Sequence, residues 1–495
     1  MLQAARTVVV FGLVSQLAGF AKVLIVAASF GAGAQLDAYY LGLIIPTFLT
    51  GLSIGLLQGS FVPIYVAART RSDDAAAYSL RDTAITWTTT ALLLIAVVLT
   101  LASGPALRAL AGAESLSNEP LRAAFVLLLW TAPLTALADA LGLLLNVEGR
   151  FLASSAAPIV SVVVSAAVLA AWSGGGTQVL VVSLIAGLVS QLAFVGIAAH
   201  RAGIHVRPAF SATQSLSRSM TAMIAPLIIA NVLGNLSPAF IQWAASRAGT
   251  GALSAMGYAG RLHNAIVQAV VMSVSIVVLP HFSKLLSQER HAELRLALER
   301  IFVAAMVFFL ATVVFVAAGA PSAIELLIER GRFTSSDTEL VSQVWLALTL
   351  GLLGATWGIF LARLFQASKQ PWLIAKLSVV SLIANVVCAT LLLPRWGVVG
   401  VAAANSLAYA IVTVLFHRQA WLMLGPMLTA QTRRFVLTAL SANLLAYLLA
   451  IRWGHMARDS ALLATTGHVA IIGVANLLVV RAKPLSLTVT ALLRK

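Results

Sequence analysis

The sequence predicts an all-α polytopic membrane protein of about fourteen transmembrane helices. They are expected to form two six-helix lobes around a central cavity, with two further helices at the carboxy end. Three observations predict this. Of 495 residues, 60% are hydrophobic and only 10% are charged, against about 25% charged in an average soluble protein. Apolar runs recur that can cross a hydrocarbon core, which takes about 20 residues of helix. The second half of the chain also repeats landmarks of the first at a nearly constant offset.

The first span covers residues 7–30. It exceeds the apolar core of a cleavable signal and only Arg6 precedes it, so it reads as a retained helix. A Gly31-Ala32-Gly33 turn leads into the second span, 37–66, long enough to be tilted or kinked. Four more follow at 83–103, 121–146, 155–173 and 178–199. The next six run over 219–242, 252–282, 300–320, 339–364, 373–393 and 398–417, and a last pair over 434–451 and 461–480. This gives an amino lobe (1–200), a cytoplasmic linker (201–218), a carboxy lobe (219–420), and a final section (421–495) of two helices and a cytoplasmic tail. The linker carries Arg201, Arg207 and Arg218. It reads equally as an interfacial helix on anionic headgroups or as a solvated connection.

The repeat is visible at two places. Phe61-Val62-Pro63-Ile64 ends the second span and Val278-Leu279-Pro280-His281 the eighth, offset by 217. Asn146–Arg150 closes the fourth span and Phe365–Lys369 the tenth, offset by 219. Two bundles of six around a shared site are a transporter plan.

The formal charge of +16 does not point to nucleic acid, because the basic residues lie in short loops between spans. That pattern fits topology and anionic lipid instead. With the amino terminus inside, twenty Lys and Arg, among them Arg81, Lys483, Arg494 and Lys495, fall on the inner side. Eight, among them Arg330, Arg332 and Arg458, fall outside. The bias predicts cytoplasmic termini. A single cysteine, Cys388, excludes an intramolecular disulfide and a cysteine-cluster metal site. No P-loop, HExxH or GxSxG motif is present, so an ATPase, a zinc protease and a serine hydrolase have no support. No metal or organic cofactor is expected, and work would come from membrane potential, H+ or Na+.

Charges inside spans are expensive and are functional candidates by default. Lys22 lies about 12 Å and Arg261 about 13 Å below the outer boundary at 1.5 Å per residue. The matched depths suggest a cationic chamber, with snorkelling as the bland reading. Asp37 opens the second span, where it can favour its own helix dipole or pair with a chamber cation. Asp139 lies about 10 Å above the inner boundary, where it is paired, protonated or in a wet cavity. It is the candidate for ion coupling or gating. Arg363 and Lys376 lie near the inner boundary and read as snorkelling. Asn231, Asn235, Asn385, Asn405, Asn443 and Asn476 read as stitches between helices, and Tyr39, Tyr40 and Tyr258 as belt aromatics.

FGAGAQLDAYYLGLIIPTFL followed by GSFVPIYV resembles the amino-terminal signature of the MviN/MurJ family, the lipid II flippases of the multidrug/oligosaccharidyl-lipid/polysaccharide exporter superfamily. MGYAGRLHNAIVQAVVMSVSIVVLPHFSKL and LLIERGRFTSSDTELVSQVWLALTLGLLG resemble its second half, and Asn146, Arg150, Pro158, Lys376 and Asn385 fit its pattern. The resemblance implies a non-enzymatic transporter in a bacterial cytoplasmic (inner) membrane. Asp37 and Arg261 stand at functional positions of the family, and Lys22 stands where the family has a cavity arginine. Substrate binding is therefore expected at Lys22, Arg261 and Asp37. Gln16, Thr50-Gly51 and Ile54 are uncharged where the family carries charge, and Asp139 has no counterpart in its pattern.

The function this implies is alternating-access translocation of an undecaprenyl-pyrophosphate-linked saccharide, foremost lipid II, from the inner to the outer leaflet. The expected partners are that lipid, the surrounding membrane lipids and cell-wall or glycan-synthesis enzymes, with no nucleic acid. An exopolysaccharide or O-antigen repeat-unit flippase is the alternative. A cation-coupled small-molecule exporter and a non-transporting scaffold rank lower.

Overall fold

A computed structural model describes residues 2–71, 73–112, 119–172, 174–210, 214–268, 273–457 and 460–482. Among these, ten helical stretches are long and apolar enough to cross a membrane. They account for eleven of the fourteen expected spans, because one of them, Trp372–Leu424, holds two. The other three expected spans fall on helices α1 (Leu2–Phe30), α10 (Gln214–Ser246) and the pair α11 (Ala252–Val267) and α12 (Ser273–Ser287). The chain is a multi-pass membrane protein. Lys483, Arg494, Lys495 and the expected tail lie outside the described residues, as does Arg458.

The chain divides into two packing units, Met1–Ser254 with Arg330–Phe333, and Ala255–Glu329 with Thr334–Lys495. In the first unit, α2 (Ala34–Leu56) passes through a π-helical turn, Leu57–Phe61, into α3 (Val62–Thr70). The third span, α4 (Asp74–Leu101), begins nine residues earlier than hydropathy suggested. Its cap explains this: the Asp73 side chain accepts from the Ala76 N–H at 3.1 Å and Asp74 sits in the first turn, where acidic groups favour the dipole. A short helix, α5 (Ser103–Ala111), follows. The fourth span is α6 (Glu119–Leu129) and α7 (Thr131–Val147) in succession, and α8 (Phe151–Ala171) and α9 (Gly176–Arg201) complete the amino half.

Arg81, expected in a loop, is instead a buried residue of α4. It pairs with Asp82 at 2.8 Å and donates to the His205 carbonyl at 2.5 Å. That bond helps hold the connection after α9, and the described residues 202–210, within the segment that reads equally as an interfacial helix or a solvated connection, are not helical. Residues 204–210 form no regular element, with Ile204 and Val206 packed on the core and His205 and Arg207 exposed. Thr86 accepts from the Ala209 N–H at 3.0 Å, and Trp87 donates to the Phe210 carbonyl at 3.2 Å. Pro208 disfavours helix at Arg207; the backbone of this connection finds partners on α4. Helix resumes at Gln214 in α10, which packs along α2 within the first unit.

In the second unit α11 and α12 are followed by α13 (His291–Leu327), α14 (Ser335–Leu350), α15 (Leu352–Ala367) and α16 (Pro371–Leu424). Helix α16 is two spans joined at Gly397, whose backbone is not helical. The last pair, α17 (Ala430–Met456) and α18 (Ala461–Ala482), packs on α13, with one polar contact to α13 and two between α17 and α18. Glu299 accepts from the Thr429 N–H at 2.9 Å, the Thr429 hydroxyl at 2.6 Å and the Thr432 hydroxyl. Asn443 and Asn476 exchange amide hydrogen bonds at 3.3 and 3.2 Å. His468, buried near Gly319 and Gly454, meets the Ala450 carbonyl at 2.9 Å. The stitching expected of Asn443 and Asn476 is therefore present, in a solvent that leaves van der Waals fit and hydrogen bonds to hold helices together.

Local geometry carries the repeat. The Arg150 N–H bonds the Leu145 carbonyl at 2.7 Å and the Gln370 N–H bonds the Phe365 carbonyl at 2.9 Å, just after left-handed residues Gly149 and Lys369. The Asp73 N–H bonds the Ala68 carbonyl at 3.1 Å and the Arg290 N–H the Leu285 carbonyl at 3.0 Å. The caps place Gly149, rather than Arg150, in register with Lys369.

Close helix approach gives a test. A Cβ at Gly187 of α9 would lie 2.5 Å from the Ser161 carbonyl oxygen on α8, whereas one at Gly196 meets nothing within 4 Å. Gly187→Val is expected to lower stability by about 1–3 kcal/mol through overpacking. Thermal unfolding of the detergent-solubilised protein should show the loss, and Gly196→Ala should not.

Candidate functional site

One end of the first unit, where α1 finishes and α2 begins, is built by four segments meeting where backbone would otherwise be unpaired. Helix α1 ends at Phe30, and its Ala28 carbonyl accepts from the Arg332 N–H at 2.8 Å. Gly331, at φ +63, passes so close that a Cβ would lie 2.3 Å from that same oxygen. Gly251, at φ +83, approaches Ala32 in the same way, with 2.7 Å from a Cβ to the Ala32 carbonyl. Positive φ and this proximity both require glycine.

Asp37 completes the arrangement. Its Oδ2 accepts from the Gly251 N–H at 2.5 Å, and its Oδ1 from the Ser254 N–H at 2.7 Å and the Ser254 hydroxyl at 2.5 Å. Gly251 and Ser254 bracket the first residues of α11, so the carboxylate satisfies donors that a helix start leaves orphaned. No side-chain cap bond reaches the start of its own helix. It therefore caps a helix more than two hundred residues away, and no ion pair to it occurs among the described residues. Tyr39 and Tyr258 are buried, at 7% and 1% exposure. They belong to the interior rather than to a lipid-facing belt, because their helices turn those faces onto neighbours.

Lys22 is half-buried on α1, beside the packed Val23, Val26 and Ala27. Arg261 is exposed on α11 in the second unit. Asn264 and Gln268 are exposed on the same helix face, at spacings of three and seven residues that align along an α-helix. No Cβ neighbour lies within 4 Å of Gly260. A polar, exposed stripe on a spanning helix suits water and not hydrocarbon. Sequence reasoning picked out Arg261 and missed Asn264 and Gln268, although their spacing was legible.

Asp139 is half-buried on α7 between the buried Ala138 and Ala140, and it makes no hydrogen bond or ion pair among the described residues. Thr135, Gly142 and Asn146 continue its helix face, and nothing lies within 4 Å of a Cβ at Gly142. Gln16 is exposed, Ile54 half-buried, and the Thr50 hydroxyl donates to the Pro46 carbonyl at 2.9 Å. Among the described residues no group of three or more His, Cys, Asp or Glu is placed to hold a metal ion.

Helices of this number and length, some with polar groups on exposed faces, define a polytopic membrane protein. Its fold is shared with a solved multidrug-resistance MATE transporter of the MOP superfamily in an inward-facing conformation, at TM-score 0.67 and 14% identity over 83% of this chain and 95% of that one. It is closer to a solved lipid II flippase MurJ in an inward closed conformation, at TM-score 0.78 and 19% identity over 98% and 99% of the two chains. A curated Vibrio cholerae relative named "Probable lipid II flippase MurJ" is 25% identical over 86% of this chain and 83% of its own. A Rhizobium meliloti relative of the same name is 27% identical over 89% and 84%. The family model for lipid II flippase MurJ matches residues 26–466. The chain belongs to the lipid II flippase MurJ family.

The cap predicts a local effect. Asp37→Ala leaves the Gly251 and Ser254 donors without their acceptor, and charge-assisted hydrogen bonds are worth about 1.5–3 kcal/mol each. Amide hydrogen exchange at residues 251–255 is expected to accelerate by roughly 100-fold or more. Asp37→Asn, which keeps one acceptor oxygen, should fall between.

Proposed function

We propose that this chain is a lipid II flippase, carrying the undecaprenyl-pyrophosphate-linked headgroup from the inner to the outer leaflet by alternating access. Family membership supports the substrate class, and the exposed stripe Arg261–Asn264–Gln268 is the observation that carries the site. Arg261 offers a planar fork of donors suited to a pyrophosphate, and Lys22 adds a point charge. Asn264 and Gln268 supply neutral donors and acceptors to the sugar or peptide part. The acyl tail stays in the bilayer. Asp37, already accepting three hydrogen bonds, acts as the latch on the outer end of α11 and touches substrate only after those bonds break. The protein works in a bacterial cytoplasmic membrane with both termini inside, beside cell-wall synthesis enzymes.

Reset of the carrier can draw on membrane potential, worth about 2.3 kcal/mol per elementary charge per 100 mV. Asp139, without a partner among the described residues, is the proposed proton or sodium site. A repeat-unit flippase of the exopolysaccharide type is favoured by one feature, the uncharged Gln16, Gly51 and Ile54 where the family pattern carries charge. Neighbouring glycosyltransferase genes in place of cell-wall genes would mark that substrate.

Arg261→Ala is expected to abolish headgroup translocation at normal expression, with Arg261→Lys retaining part of it. Complementation of a flippase-depleted strain, paired with headgroup accessibility at the outer surface, measures both. Full complementation by Arg261→Ala would sink the site assignment. In vesicles with imposed gradients, Asp139→Asn should abolish any dependence on a proton or sodium gradient and leave the response to potential. An unchanged ion dependence would exclude Asp139 as the coupling group.

A further inference from the structure

Helix α2, which caps the start of α11 through Asp37, meets the preceding helix α10 deeper in the membrane. A Cβ at Gly51 of α2 would lie 2.2 Å from the Asn235 Oδ1 of α10, and one at Gly55 would lie 1.8 Å from the Asn231 Oδ1. The contacts are antiparallel rungs: four residues further along α2, the partner is four residues earlier on α10. Asn235 also donates from Nδ2 to the Asn231 carbonyl at 2.9 Å. That bond holds its amide nitrogen along its own helix and turns the oxygen toward α2. Only glycine leaves the slots open. Helix α10 packs chiefly on α2 and on the π-helical turn Leu57–Phe61 just below, so its placement in the first unit depends on this seam.

We infer that Asn231 and Asn235, seated on Gly51 and Gly55, are positioning residues that form a releasable clasp, setting how closely α10 lies on α2 during transport. The inference rests on the transport reading above. Helices in lipid gain no hydrophobic drive from touching one another, so small-residue slots and side-chain amides decide whether they associate. Carboxamides are neutral, so parting the rungs exposes no charge to hydrocarbon, whereas an ion pair at this depth would resist separation. The π-helical turn at the lower end adds a place where the ladder is already irregular, as functional helices often show. The Asp37 cap ties α2 to the start of α11, and the clasp sets the contact of α2 with α10.

The chain has one native cysteine, Cys388, so a Cys388→Ser background leaves only introduced thiols. Gly51→Cys with Asn235→Cys places two β-carbons near enough for a disulfide. In membranes containing the full chain, oxidation is expected to cross-link the pair and stop headgroup translocation, and reductant should restore it. A second arm needs no transport. Asn235→Cys alone should react slowly, but measurably, with a membrane-permeant maleimide. Adding Gly55→Ala, which displaces Asn231, should speed labelling several-fold, and adding Asn231→Ala as well should return it to the slow rate. Four results would overturn the clasp: no disulfide, full translocation by the cross-linked protein, complete protection of Asn235→Cys from label, or a Gly55→Ala effect that Asn231→Ala does not reverse. A Cys388→Ser parent that moves no headgroup would count against the proposed function instead, and the labelling arm would still decide the clasp.

Discussion

A carboxylate that accepts three hydrogen bonds at the first turn of another helix is the contact on which one end of the first unit depends. Helix α11 must begin somewhere, and its first N–H groups have no intrahelical partner. In water they would be solvated; at the edge of a bilayer they need protein. Asp37 supplies both the acceptors and the negative charge that a helix start favours, through Gly251 and Ser254. The close passage of Gly251 over Ala32 and of Gly331 over Ala28 then follows from bringing these segments near enough for the cap to form.

The same rule of partner satisfaction recurs at each level of the bilayer. Glu299 gathers the hydroxyls and the N–H at the start of α17, Asn443 and Asn476 pair in mid-membrane, and His468 meets a carbonyl further out. Arg81 pairs with Asp82 and reaches the connection after α9. Arg261, Asn264 and Gln268 differ in being exposed at helical spacing along α11 and the residue just after it. A transporter of charged headgroups requires such a face somewhere. The contrast between satisfied interior groups and an exposed polar stripe separates scaffold from candidate site.

Much of this was legible in the residues. The hydrophobic runs predicted a number of spans with which the described helices roughly agree, and the Pro63/Pro280 and Asn146/Phe365 landmarks recur in matching loop hydrogen bonds to within one residue. The intramembrane charges Lys22, Asp37, Asp139 and Arg261 were conspicuous because ionised groups in apolar runs are rare. Other features were misread for identifiable reasons. Hydropathy could not see that Asp73 would cap α4 early and carry Arg81 into the interior. Nor could it see that residues 204–210 would pair with α4 instead of coiling on the surface. Tyr39 and Tyr258 sit at belt height by sequence but turn inward, because depth is readable from position and direction is not.

The sequence by itself determined the membrane class, the approximate number of spans, the family signature and the short set of costly charges. Each of these is local: a run of apolar residues has to be long enough for hydrocarbon, and a charge within it is visible wherever it faces. Only the tertiary structure decided which partners those groups take. Asp37 finds Gly251 and Ser254, and Gly51 and Gly55 receive Asn235 and Asn231, across separations of about two hundred residues. Such pairings depend on helix rotation and register, which are set by packing among all neighbouring helices at once and leave no mark in the spacing of any single one.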